Sequence, residues 1–286
     1  MDVDGVLARA GLGRAASVVP ARAGERNTVW LVETDAGLPV VVRFLAASAR
    51  LQMERRLLLV VGDAGIPVAE TLWAETEPNP VLVQRRLPGR MLAEVEPTDT
   101  TCRSVAQTLR AIHAIPVGRG FGNLTAELEG ETPSLSAWFV DHVGAEIQTP
   151  TVEPALADAL AVLEAARPLL DRQRPALVHG DVQPTNLLVG DDGRVSGVLD
   201  WEAAKSGPPA FDFGWWDWFS RIRPTPWSTA RLLERYGEVD DDTDELRRLV
   251  VLRVWTRELI AGTNHGDGTR AAAARSGVAT ALQARS

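Results

Sequence analysis

The run His179-Gly180-Asp181-Val182-Gln183-Pro184-Thr185-Asn186 decides the fold of this 286-residue chain. A carboxylate follows a tight His-Gly pair, and an amide follows that carboxylate at five residues. Apolar triplets flank the octet, Ala176-Leu177-Val178 before it and Leu187-Leu188-Val189 after it. Asp200 comes next, behind Gly197-Val198-Leu199. Phosphoryl transfer needs such a set. One carboxylate orients and deprotonates an attacking hydroxyl, while an amide oxygen and a second carboxylate hold the metal that neutralises a triphosphate. Asp181 fits the first role; Asn186 and Asp200 fit the second. Mg2+ prefers oxygen donors and keeps waters, which suits one amide, one carboxylate and phosphate oxygens.

Asp and Asn also stand five apart in the protein-kinase catalytic loop. The His-Gly-Asp form, followed by Asp200-Trp201-Glu202 and then Gly207-Pro208-Pro209-Ala210-Phe211-Asp212, resembles the aminoglycoside phosphotransferase family. The resemblance runs from about Gly24 to Asp212, and the last ~70 residues match only in helical character. It implies an α+β, protein-kinase-like two-lobe fold: a small β-rich lobe over residues 1–87 and a larger helical lobe over 88–286, which carries the catalytic loop. It also implies an enzyme that moves the γ-phosphate of ATP or GTP to a hydroxyl of a small molecule. In that family His179 would brace the loop by hydrogen bonds rather than act as the base. Asp212, ahead of a helix, would satisfy free backbone N–H groups.

The rest of the chain is consistent with that order of lobes. Asp4 can cap a short helix stopping at Gly11 or Gly13. Residues 17–22, 27–33, 40–44, 68–74 and 81–84 read as strands, and residues 47–61 as a helix with Leu51, Arg55, Leu58 and Leu59 in register. Pro88-Gly89 marks the boundary. Beyond it Thr98 can cap a helix carrying Cys102, Val105, Ala106, Leu109, Ile112 and His113 on one side. A second helix carries Leu156, Leu160 and Leu163, and further helices are expected near 211–220, 227–237, 244–262 and 270–284.

Composition narrows the function classes. Net charge is −8, which argues against nucleic acid as a partner. No segment approaches the ~20 apolar residues of a membrane span. With Cys102 as the one cysteine and an acidic Met1-Asp2-Val3-Asp4 start, a cytoplasmic location is expected. Four scattered histidines and one cysteine disfavour zinc. Residues 1–87 carry ten acids and ten arginines, so the acidic excess lies entirely in residues 88–286. Lys205 is the only lysine.

The resemblance extends to the nucleotide site. The turn at Gly24-Glu25-Arg26-Asn27 lies where the family covers the phosphates. Arg43 stands where protein kinases place a lysine, and Glu54, eleven residues on, would pair with it. A planar fork then replaces a point charge. Val83-Gln84-Arg85-Arg86-Leu87 would link the lobes and present backbone groups to the base, with ATP and GTP both open. On the acceptor side, seven of sixteen aromatics lie between 211 and 227. Most are expected in the core. Asp217 beside Trp218 could hold an amine by charge and cation–π contact. Glu202, Glu258 and Asp267 are further candidates. The charge argument points to a cationic antibiotic, an aminoglycoside or a basic cyclic peptide. A metabolic kinase acting on an amino alcohol, sugar or macrolide stays open, as does a nucleotide-binding regulator without turnover.

Overall fold

The computed structural model describes residues 2–21, 27–45, 49–77, 79–148 and 153–284. Helix α1 (Val3–Arg9) opens the chain, followed by β1 (Ala15–Pro20), β2 (Thr28–Thr34), β3 (Pro39–Phe44), helix α2 (Ala49–Asp63), β4 (Thr71–Glu75) and β5 (Val81–Arg85). The five strands form one antiparallel sheet in the order β1-β2-β3-β5-β4. Strand alternation splits its residues between two faces. Val32, Val40, Val42, Val81 and Val83 pack on Val3, Val6 and Leu7 of α1. The other face carries Arg43, Leu82 and Gln84, since Arg43 pairs with Leu82 and Val41 with Gln84.

Helix α1 is capped by Asp2, which accepts from Gly5 N at 2.8 Å, rather than by Asp4. The Asp4 carboxylate instead accepts from Ala15 N at 2.9 Å and ties the helix to β1. Either acid suits a cap by sequence; the position of β1 gives Asp4 a different donor.

The chain leaves the sheet at Arg85 and enters the helical part through β6 (Arg90–Met91), which pairs with β10. Then come α3 (Asp99–His113), β7 (Phe121–Leu124), β8 (Gly130–Thr132), a π-helical turn at Ala137–Asp141, α4 (His142–Ala145), α5 (Pro154–Ala165) and α6 (Arg167–Asp171). The sequence ahead of the octet forms β9 (Ala176–Val178); β10 (Leu187–Val189), β11 (Val195–Val198) and β12 (Lys205–Gly207) follow it. Four helices finish the chain: α7 (Ala210–Ile222), α8 (Thr229–Tyr236), α9 (Asp241–Asn264) and α10 (Gly268–Gln283). Thr98 caps α3 as expected, accepting from Thr101 N. Cys102 is buried in the core that α3 builds with Trp201, Phe213 and Trp216.

Helix α2 has two apolar sides. Leu51 packs with Leu45 and Leu82 under the sheet. Met53, Leu57, Leu58 and Val61 join the core of α3 and β10. The helix therefore couples the sheet to the helical part by burial on both sides. Helices α7 and α9 approach closely at Gly214, where a Cβ would collide with Val250. Among the described residues no helix is long and apolar enough to cross a membrane.

Candidate active site

Strands β9 and β10 hold the octet as a loop between them. Gly180 takes φ +77°, and a Cβ there would collide with Ala203 O and fall 2.6 Å from Lys205 Nζ, so only glycine fits. His179 is fully buried. Its Nε2 donates to Leu199 O at 2.8 Å and its Nδ1 accepts from Asp181 N at 3.3 Å. These two bonds fix the neutral Nε2–H tautomer and make His179 a brace. Trp201 stacks against it with ring centroids 4.8 Å apart.

Asp212 braces the same loop from α7. It is the third residue of that helix and fully buried, not a cap for it. Its carboxylate accepts from His179 N at 2.9 Å, from Gly180 N at 2.8 Å and from His113 Nε2 at 2.9 Å. The expectation of a helix cap is corrected here: the free N–H groups it satisfies belong to the loop. These bonds and His113 hold its carboxyl below the usual range even though burial pushes the other way.

Asp181 is oriented by two amides. Gln183 Nε2 lies 3.1 Å from Oδ1, and Asn186 Nδ2 lies 3.0 Å from Oδ2 and 2.8 Å from the Asp181 carbonyl. With its NH2 spent on Asp181, Asn186 has its oxygen left to accept from or bind another group. Burial pushes the Asp181 carboxyl above the usual carboxylate range, and Asp200 adds to the rise. Asp200 sits in the left-handed region at φ +63° and ψ +65°. A non-glycine residue there is strained, and such strain gathers at functional sites. The twist faces Asp200 toward Arg43, whose NH2 group is 3.5 Å from Oδ1. An amide oxygen and a carboxylate fit Mg2+, which takes few protein ligands. Among the described residues no three His, Cys, Asp or Glu side chains converge as a metal cage.

Arg43 gathers the sheet side of the cleft. Its NH1 meets buried Glu54 at 2.5 Å, and its NH2 lies 3.7 Å from Glu202. Burial works against the guanidinium charge; attraction to Glu54, Asp200 and Glu202 outweighs it and raises the pKa. Glu202 also accepts from Asn27 Nδ2 at 2.6 Å, and its carbonyl accepts from Arg50 at 2.6 Å. The structure thus brings Asn27, Arg43, Glu54, Asp200 and Glu202 together. Glu202, considered above for the acceptor, stands on this side instead. Gln84 is buried on the Arg43 face, whereas Arg86 is exposed just past β5. Gly24 lies outside the described residues.

The other acceptor candidates are engaged elsewhere. Asp217 is buried and ion-paired to Arg221 at 3.1 Å and to Arg247. Glu258 pairs with Arg270 at 2.8 Å. Trp218 packs against Trp215 and Trp255. Asp267 caps α10. Sequence reasoning missed Gln183, whose amide reaches Asp181, and the apolar residues Val29, Leu31 and Val41 on the Arg43 face. The period-two alternation of β2 and β3 was the signal for the latter.

Replacing Arg43 by Met is expected to raise the nucleotide KM about tenfold or more, as for a lost charged hydrogen bond. It also strands buried Glu54, at a cost of ~3–5 kcal/mol. Adding Glu54→Met should restore the melting temperature and leave the nucleotide KM high. A single variant with unchanged KM removes Arg43 from the nucleotide site.

The chain belongs to the phosphotransferase enzyme family, whose family model matches residues 17–249. Its fold is the kinase-like one of solved aminoglycoside phosphotransferases. A thermostable mutant of APH(4)-Ia in ternary complex with AMP-PNP and hygromycin B superposes with a TM-score of 0.80, covering 98% of this chain and 97% of that one at 20% identity. A GDP and kanamycin complex of APH(2")-IIIa gives 0.75, with 97% of each chain covered at 21% identity. Identities this low speak for the fold. The uncharacterized protein YcbJ of Bacillus subtilis (strain 168) is 41% identical over 63 residues, a match spanning 22% of this chain and 19% of that protein.

Proposed function

We propose that the protein is a Mg2+-dependent small-molecule kinase that transfers the γ-phosphate of ATP or GTP to a hydroxyl of an antibiotic. The observation that carries this is the Asp181 carboxylate, held by the Gln183 and Asn186 amides across from Arg43 and Asp200. Lobes of residues 1–87 and 88–286 would enclose the nucleotide. Its base would lie under the Val29, Leu31 and Val41 face, against backbone near Gln84 and Arg86. Its phosphates would meet Arg43, Asn27 and the turn at Gly24. Asn186 and Asp200 would hold Mg2+, which neutralises the phosphate oxygens when bound. Asp181 accepts the acceptor's hydroxyl proton as that oxygen forms its bond to the γ-phosphorus. The bond from phosphorus to the β–γ bridging oxygen breaks, and the nucleoside diphosphate leaves with that electron pair.

The acceptor in this reading is cationic, an aminoglycoside or basic cyclic peptide. Support comes from the acidic excess of residues 88–286 and from relatives solved with hygromycin B and kanamycin. Because Glu202, Asp217 and Glu258 already have arginine partners, attraction rests on the summed field rather than on one acid. An added phosphate, about −1.5 to −2 charges, would spoil binding to an anionic target. The test incubates the protein with ATP or GTP, Mg2+ and a panel of antibiotics, sugars and amino alcohols. Mass spectrometry should show a gain of about 80 Da, one phosphoryl group, on a cationic antibiotic. Preference for a neutral compound overturns the charge argument alone. Absence of diphosphate release with every acceptor overturns the kinase reading.

A further inference from the structure

Lys205 is the only lysine in the chain, and nothing above gives it a role. Strand β12 sets it between Val178 of β9 and Asn123 of β7. Val178 is the last residue before the catalytic loop, so Lys205 runs alongside the loop's entry. Its Nζ donates to Ala203 O at 2.5 Å and lies behind Gly180. An ammonium has three donors, and this is its one hydrogen bond among the described residues. Among the charged groups around it, Asp212 of α7 and Asp181 of the loop attract it, while Arg253 of α9 and Arg50 of α2 repel it. The two guanidinium groups have other work. Arg253 donates to Phe139 O at 3.0 Å and stacks over Trp138 at 4.0 Å, and Arg50 holds Glu202 O.

The two carboxylates differ in their need. Asp212 is satisfied by two backbone N–H groups and His113. Among the described residues the Asp181 carboxylate has only neutral amides within hydrogen-bond distance, Gln183 and Asn186, and Lys205 is one of the groups whose charge favours its ionised form. A buried anion with neutral donors alone is costly unless a cation stands near. We propose that Lys205 is a positioning residue for Asp181: its ammonium, lodged behind Gly180, steadies the Asp181 charge from within the helical lobe while the acceptor hydroxyl docks. The role rests on the kinase reading above. Burial, with Arg253, pushes the Lys205 amine down to about 8 against the pull of Asp212 and Asp181. The cation is therefore present at neutral pH and only just retained.

Three variants separate charge from bracing. Lys205→Gln can keep a hydrogen bond to Ala203 O but has no charge, Lys205→Met has neither, and Lys205→Arg has both. A charge role predicts that Gln and Met each lower kcat about tenfold or more at a nucleotide KM within about twofold, and that Arg recovers most of it. If Gln matches wild type and Met loses only melting temperature, Lys205 is a brace and the proposal fails. A second readout needs no turnover, so it also distinguishes failure here from failure of the kinase reading. In protein carrying 15N- and 13C-labelled lysine, the single Nζ signal reports its own titration by NMR. Folded Asp181→Asn removes an attracting charge, so the midpoint should fall below that of wild type. An unchanged midpoint overturns the proposal.

Discussion

Asp181→Ala is expected to lower kcat by ~10²-fold or more, the usual worth of a general base, while nucleotide affinity stays near wild type. The split follows from the site. Among the described residues the Asp181 carboxylate bonds only to Gln183 and Asn186, within its own loop, and Arg43 with Glu54 forms the sheet side of the cleft without it. Steady-state kinetics with saturating acceptor reads kcat; a nucleotide titration reads the rest. A variant keeping more than about a third of wild-type kcat removes Asp181 from the chemistry. The pH profile carries the same assignment. The carboxylate form is the working one and burial raises its pKa. Activity should therefore fall as pH drops through a value above the ordinary carboxylate range.

Asp200→Asn and Asn186→Ala should each raise the Mg2+ concentration for half-maximal activity, by at least the ~10–100-fold that loss of an outer-shell partner costs. Asn is the better replacement for Asp200. The residue sits at φ +63°, and asparagine tolerates that conformation whereas alanine adds strain. Titrating MgCl₂ against activity measures the effect. Unchanged Mg2+ dependence in both folded variants places the metal on other residues.

The octet made the loop legible because its chemistry is local: Asp181, Gln183 and Asn186 meet within five residues of chain. The strands of the β-rich part were legible as β-branched runs bounded by turns, and α3 by its cap. The short strands β7, β8, β9 and β12 were not. Three or four residues carry no period, and their partners are distant, as in Lys205 with Val178. Asp212 was read as a helix cap since a carboxylate near a helix start has that local use; only the packed fold offers it the N–H groups of a loop over thirty residues earlier. Asp217 among tryptophans suggested an amine site. Arg221, four residues on, was a legible competitor on the same helix face, whereas Arg247 was visible only in three dimensions.

The Asp212 anchor also orders events during synthesis. The ribosome makes the octet before residue 212, so the N–H groups of His179 and Gly180 lack this carboxylate until α7 has followed. Leaving each unsatisfied in a buried setting costs ~1–3 kcal/mol. His113, made long before, waits for the same carboxylate on one nitrogen and for Tyr236 on the other. A nascent chain that stops short of α7 thus holds every proposed catalytic residue, Asp181, Asn186 and Asp200, yet lacks the carboxylate that sets their loop. The loop proposed to carry the chemistry thus depends on a carboxylate from another element, one with no proposed part in the reaction.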